Sequence, residues 1–321
     1  MPSIADLLQR VPSWTGRAVH WQRLQGGLSH HIYRVDVDQQ PYVLRVLEPA
    51  VSAAGLGIPP EQEIVNTVRA AGTVGAHVYT VLHDVPAIVL EFLPGRTLGA
   101  TEVRRPEIIP SLAEACRRLH AGPAFGNDFD IFAKRAELLD VCRRHDLPLP
   151  DGYDDRSSTV DEIRAALTVA PLPAVPCHND LLAENFIATG DGVRIIDYQL
   201  SGNNDPAFEL GDIAAEADYD PDLVELLASS YFGAALTPAL LARVRLFLMA
   251  SNVTWALWFT VHHGLIAPAR NGSEHGESTV GFDYEAEAAD KWGQAQRALD
   301  DPGLGGLLDA VTGRKTTTPK D

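Results

Sequence analysis

Residues 177–200 read CHNDLLAENFIATGDGVRIIDYQL, and this stretch decides the fold. Residues 186–189 (FIAT) and 193–197 (VRIID) read as two short strands, and Gly190-Asp191-Gly192 supplies the turn chemistry of a hairpin. Asn185 lies six residues before Asp191 and Asp197 six after it. Antiparallel pairing is therefore expected to bring both to the open end of the hairpin. Two oxygen-bearing side chains at one point suit Mg²⁺, which takes few protein ligands and completes its shell with water and phosphate. Asp180, in the loop leading in, can face the same space and accept a proton. The plain alternative is that Asn185 and Asp197 cap the hairpin and His178 is a hydrogen-bonded core residue. For one residue alone that alternative is the better one. The H-x-D-x-x-x-x-N spacing with a later strand-terminal Asp favours a site.

Around this stretch the chain is ordinary in bulk. It has 321 residues, 45% hydrophobic and 21% charged, as a soluble globular protein has. No apolar run is expected to cross a bilayer. The N-terminal MPSIADLLQRVPSW reads as a short amphipathic helix rather than a signal peptide, so a cytoplasmic location is expected. The net charge of −17 argues against a nucleic-acid partner and suits a small cationic substrate. No membrane partner is expected, and the composition sets no oligomeric state. Cys116, Cys142 and Cys177 lack the spacing of a zinc site and are expected as free, buried thiols.

Residues 1–93 read as mixed β and α. VHWQRLQ, HIYRVDVD, YVLRVLE, VYTVLHD and PAIVLEFL are expected strands. PEQEIVNTVRAAG is an expected helix with Ile64, Val65, Val68 and Ala71 on its packed face and Gly72 ending it. LPGRTL, from Leu93, is an expected turn and marks the boundary to a second unit, residues 94–321. There, amphipathic helices dominate: IIPSLAEACRRLHAG, IFAKRAELLDVCRRH, STVDEIRAALTV, DPDLVELLASSYFG, TPALLARVRLFLMASNVTWALWFTVHHG and YEAEAADKWGQAQRALD. PARNGSEHGESTVG reads as a mobile loop and residues 311–321 as a disordered tail.

His178-Asn179-Asp180-Leu181-Leu182-Ala183-Glu184-Asn185, followed by Ile195-Ile196-Asp197-Tyr198, resembles the catalytic and metal segments of the protein-kinase-like small-molecule kinases. That superfamily includes aminoglycoside phosphotransferases and choline/ethanolamine kinases. The resemblance implies an α+β, two-lobed protein-kinase-like fold, with a small N-terminal antiparallel sheet lobe and a larger, mainly helical C-terminal lobe. It also implies ATP with Mg²⁺ and phosphoryl transfer to a hydroxyl. By position, Asp180 is implied as the catalytic base, Asn185 and Asp197 as metal ligands, and His178 as a brace for the loop.

The same resemblance assigns the nucleotide side. Gln25-Gly26-Gly27-Leu28-Ser29 lies between two expected strands, where a Gly-rich turn lets backbone amides approach phosphates; alone it would be a plain turn. Arg45 stands where protein kinases carry a lysine. It is implied to hold nucleotide phosphates while paired with Glu63, with Glu61 as competitor; a surface ion pair is the alternative. An arginine here is similar to choline kinases and departs from the general kinase pattern, which keeps a nucleotide-binding pseudokinase open. IVLEFL implies a hinge, with main-chain groups around Glu91, Phe92 and Leu93 meeting adenine.

For the acceptor, three features resemble choline and ethanolamine kinases: Asn179, where aminoglycoside phosphotransferases usually show Gly; GNNDPAFELGDIAAE, with Glu216 late in it; and TWALWFTVHHG followed by GFDYEAEAADKW, which carries Tyr284. Trp255 and Trp258, three apart on a helix, share a face, and aromatic faces attract an ammonium group. The alternative, an ordinary apolar core face, has about even weight for Trp255 and less for Trp258. Gln199 stands where the family often has Glu and removes a charge near the site. The expected substrate is a small amino alcohol of the choline or ethanolamine type, with an aminoglycoside as the alternative.

Overall fold

A computed structural model of the chain describes residues 3–24, 29–82, 84–267 and 282–314. Gly26, Gly27 and the segment 268–281, expected as a loop, lie outside the described residues. The first element is α1 (Ile4–Gln9), capped by the Ser3 hydroxyl. Strands β1 (Val19–Arg23), β2 (His31–Val37) and β3 (Gln40–Val46) follow, then α2 (Pro49–Ala53), α3 (Pro60–Ala70), β4 (Val78–Leu82) and β5 (Ala87–Glu91). The five strands form one antiparallel sheet in the order β1-β2-β3-β5-β4. Period-two alternation gives the sheet two different faces. Val35, Val37, Leu44, Val46 and Val89 pack under Leu7, Leu8, Val11 and Trp14. Ile32, Val43, Arg45 and Leu90 face a cleft on the other side.

The remainder is mostly helical. In chain order it contains β6 (Gly95–Thr97), α4 (Ala100–Val103), α5 (Ile109–His120), α6 (Ile131–Arg144), α7 (Ser157–Leu167), β7 (Val175–Cys177), β8 (Phe186–Thr189), β9 (Gly192–Ile195) and β10 (Gly202–Asn204). The last helices are α8 (Pro206–Glu216), α9 (Pro221–Phe232), α10 (Pro238–Val261), α11 (Tyr284–Leu299) and α12 (Leu304–Thr312). α10 is central and packs on α6, α8, α11 and α12. This is the two-lobed, protein-kinase-like arrangement, a small antiparallel sheet lobe beside a large helical one. Val51, Leu56, Ala70 and Val74, from ahead of the expected boundary at residue 93, pack into the larger core. All three cysteines are free and buried.

Four expectations are corrected. The face of α3 that packs is Glu63, Asn66, Thr67 and Ala70, while Val65 and Val68 are 42% and 46% exposed. Ion pairing by Glu63 and a bond network on Asn66 turn the polar side inward: Asn66 Nδ2 donates to Asn127 Oδ1 at 2.8 Å and to Ser201 Oγ at 3.0 Å, and Oδ1 accepts from Gly126 N at 3.0 Å. The expected turn at LPGRTL contains β6, which pairs with β8. Gly95 permits this, because a Cβ there would collide with the Ala188 carbonyl oxygen. α12 extends through Thr312, with Val311 buried, so it enters the expected tail. Finally, α10 with its continuation to Ile266 is long and apolar enough to cross a membrane by length and composition, although 83% of its most apolar window is buried in the protein, as a core helix would be.

Candidate active site

The hairpin forms with Phe186 opposite Ile195 and Thr189 opposite Gly192, so its centre falls between Gly190 and Asp191. Asn185 is then opposite Ile196, whose amide donates to the Asn185 carbonyl at 3.0 Å, and Asp197 leaves the strand one residue later with φ +70°. A short polar side chain tolerates that left-handed backbone. Asn185 and Asp197 do meet at the open end, on the wall of a cleft of about 420 Å³ between the sheet and the hairpin. Apolar Ile32, Val43, Leu90 and Ile195 line it, with Arg45 at its polar end. Asn185 Nδ2 donates to the Asp180 carbonyl at 2.8 Å, which orients the amide so that Oδ1 is the atom able to ligate.

Arg45 is buried between two acids. Its guanidinium pairs with Glu63 at 2.9 Å and also with Asp197. Glu63, not the exposed Glu61, is therefore the partner on α3. His30 adds a fourth member: Nδ1 accepts from Glu48 N at 3.0 Å, so Nε2 carries the hydrogen it shares with Glu63 Oε2 at 3.1 Å. Burial pushes the Asp197 carboxyl up, but the Arg45 charge and hydrogen bond outweigh it and hold Asp197 below its ordinary value. Ser29 is buried and accepts from Gln199 Nε2 at 3.0 Å. Glu91 and Leu93 line the cleft; the Glu91 amide donates to His77 O at 2.8 Å, and Leu93 O accepts from Gly95 N at 2.9 Å.

The loop that carries Asp180 is held from below by α8. Glu209, fully buried, accepts from the amides of His178 at 2.8 Å and Asn179 at 2.7 Å. Asp212 accepts from Leu181 N at 2.9 Å, Ser251 Oγ at 2.8 Å and Trp255 Nε1 at 2.7 Å. His178 Nε2 donates to the Ile196 carbonyl at 2.8 Å and so braces loop to hairpin. Asn179 has φ +67°, and its side chain bonds the carbonyls of Cys177, Leu200 and Gly202. Left-handed backbone is what Gly or Asn accommodates. Asn179 thus meets a backbone requirement, and its amide ties the loop to three carbonyls.

Asp180 itself has no cation partner in an ion pair among the described residues. Burial, then the charges of Asp212, Glu216 and Asp197, push its carboxyl well above the ordinary value, and Lys291 pulls the other way. Asp212 is pushed to about 7, by burial first and then by Glu216. Glu216 does lie here, but paired with Lys291 Nζ at 2.9 Å rather than standing alone. Lys291 also donates to Ala215 O at 3.1 Å. Trp255 and Trp258 are both buried, and their N–H groups go to different places: Trp255 to Asp212, Trp258 to the Leu56 carbonyl at 3.0 Å. Trp258 packs on His262 at 5.0 Å between ring centroids, and His262 stacks on Tyr284 at 4.3 Å.

Glu209, Asp212, Lys291 and His30 were not singled out from the sequence. A signal existed for the acids. Glu209, Asp212 and Glu216 recur at spacings of three and four on an otherwise apolar helix, so they share one face. Lys291 and His30 had none, since their partners are distant in sequence.

A model described as "Phosphotransferase enzyme family" matches residues 20–247. Ethanolamine kinase 2 of Rattus norvegicus is 23% identical over 323 residues, covering 92% of this chain and 80% of the relative. The structure of a choline/ethanolamine kinase family protein from Mesorhizobium loti is similar with a TM-score of 0.79 and 28% identity, over 96% of this chain and 97% of that one. Choline kinase LicA from Streptococcus pneumoniae follows with a TM-score of 0.71 and 17% identity, over 92% and 98%.

Proposed function

The chain belongs to the phosphotransferase enzyme family, and from that premise we propose that it is an ATP- and Mg²⁺-dependent kinase of a small amino alcohol of the choline or ethanolamine type. The observation that carries the acceptor is the crowding of three acids, Asp180, Asp212 and Glu216, around one cation, Lys291. Asp180, Asp212 and Glu216 act on one another there with Lys291 as counter-charge. A cationic acceptor would relieve that crowding of acids.

The residues present fit the implied nucleotide and metal. The cleft is apolar where a base would lie and ends at one carboxylate and one amide oxygen, a donor set that suits a hard cation with few protein ligands. Asn185 Oδ1 and Asp197 would hold Mg²⁺, which supplies charge neutralisation at the phosphates. Arg45, fixed by Glu63, supplies a further positive charge at the same end of the cleft. Asp180 would take the proton of the substrate hydroxyl at a carboxylate oxygen as that hydroxyl oxygen bonds to the γ-phosphorus and the bond from that phosphorus to the ADP oxygen breaks, releasing ADP. Glu209 and Asp212 keep the loop still through three amides, so Asp180 is presented in one position.

A coupled assay of ATP consumption with choline, ethanolamine, other small hydroxylated amines and several aminoglycosides tests this. Turnover with the small amines is expected. Stimulation by aminoglycosides alone would overturn the substrate class. Nucleotide binding with no acceptor turned over would favour a regulatory pseudokinase.

A further inference from the structure

Glu63 on α3 is a buried carboxylate whose two oxygens go to different partners. Oε1 accepts from Arg45 Nε at 3.0 Å, and Oε2 accepts from His30 Nε2 at 3.1 Å. Arg45 in turn pairs with Asp197 and lines the cleft beside Asn185. His30 immediately precedes β2, so residues 33 apart in sequence meet here. A chain of contacts therefore runs from His30 through Glu63 and Arg45 to a side chain proposed to hold Mg²⁺.

His30 enters this chain as a neutral donor. Its Nδ1 accepts from the Glu48 amide at 3.0 Å, which leaves the single ring hydrogen on Nε2, aimed at Glu63. A neutral donor orients the carboxylate without taking its charge, so that charge stays with Arg45. A lysine or arginine at this position would compete with Arg45 for it. The side chains of His30 and Glu63 are only 4% and 2% exposed. Without His30, Oε2 would be left dry rather than hydrated, and a buried oxygen without its donor is costly. Glu63 would then turn toward another donor and draw Arg45 with it.

We propose that His30 is a positioning residue for nucleotide binding: it fixes the Glu63 carboxylate and, through it, holds the Arg45 guanidinium at the polar end of the cleft. This rests on the nucleotide half of the proposed function, because it takes that cleft to receive MgATP. His30 acts only through Glu63, so its effect belongs in nucleotide affinity.

Two substitutions separate the ring nitrogens. His30→Asn puts its amide near the place of Nδ1 and stops short of Glu63, whereas His30→Gln reaches the place of Nε2 and can donate there. Calorimetric titration with Mg²⁺ and the non-hydrolysable ATP analogue AMP-PNP should show Kd raised roughly threefold to tenfold in His30→Asn, the scale of a lost hydrogen bond. His30→Gln should stay within about twofold of wild type, since the donor is restored. A ring that merely packs would lower stability in urea in both variants and leave both Kd values at wild type, which overturns the proposal. An equal rise in both overturns it as well, because the contact with Glu63 would then not be the cause. Glu63→Ala cuts the same route from the other side and stands in should His30→Asn not fold. It should raise Kd at least as much, and adding His30→Asn to it should raise Kd no further. A wild-type Kd in Glu63→Ala, or a further rise in the double variant, overturns the proposal. Wild-type protein that binds no AMP-PNP with Mg²⁺ overturns the proposed function and this proposal with it. Wild-type binding with an unchanged Kd in His30→Asn overturns the role of His30 alone.

Discussion

Asp197 and Asp180 are both half-buried carboxylates at the ends of one loop and hairpin, yet they sit in opposite electrostatic regions. Asp197 touches Arg45, which Glu63 fixes in turn, and is held ionised below its ordinary pKa. Asp180 is pushed well above the ordinary value by burial and by the charges of Asp212 and Glu216, with Lys291 opposing them. A permanently ionised carboxylate suits a cation, and one that retains proton affinity suits a base. The difference arises from neighbours that come from α3, α8 and α11, not from the hairpin.

The sharpest break is at the base. Asp180→Asn should lower kcat by about 10²–10⁴-fold with nucleotide affinity nearly unchanged, measured by steady-state kinetics beside MgATP titration. It should not lower the unfolding free energy much, because it removes a charge from a crowd of like charges. Unaltered turnover in a folded variant would remove Asp180 from its role.

On the other side the same kind of change should act on folding. Arg45→Met strands Glu63 and Asp197 without their cation, a loss of about 3–5 kcal/mol in urea unfolding. Asp197→Ala should abolish most of the Mg²⁺ dependence of nucleotide binding by calorimetry. Wild-type MgATP affinity there would place the metal elsewhere. A smaller effect is expected at Trp255→Phe, which deletes a donor to Asp212: about 0.5–1.5 kcal/mol, the range for a typical hydrogen bond. Stability at wild type would mean that Asp212 does not depend on that bond to stay in place.

The mildest effect is on pH. A base must be ionised, so kcat/KM should fall as pH drops through the Asp180 pKa, and that acid limb should lie above the usual carboxylate range. Lys291→Met removes a charge that lowers this pKa and should move the limb to higher pH. Glu216→Gln removes one that raises it and should move the limb down. Limbs unmoved in both variants would show that the pocket does not tune Asp180.

Legibility followed the range of each interaction. Asp180, Asn185 and Asp197 were readable because hairpin pairing and loop spacing are local, and the structure brings Asn185 and Asp197 together one register step from where symmetry about Asp191 would put them. Glu63 was readable as the partner of Arg45, but the face of α3 was not: Val65 and Val68 look like a packed stripe until Asn66 and Glu63 find partners across the cleft. The paired tryptophans were readable as one helix face and turned out to be buried, with their N–H groups sent to α8 and to the strap before α3.

By itself the sequence determined the two-lobed fold, the hairpin, the order of the expected site residues and the acidity that suits a cationic acceptor. The hairpin and the order of the site residues depend on turn chemistry and spacing, which act over a few residues, and the two-lobed fold was implied by the resemblance of those motifs to the protein-kinase-like kinases. Only the tertiary structure decided which acids are free to act. Lys291 lies 75 residues beyond Glu216, and Arg45 lies 152 residues before Asp197, so no local pattern could show that the first acid is neutralised and the second held ionised. A carboxylate's charge state is set by what lies within a few ångströms of it once buried, and chain folding alone brings those groups there.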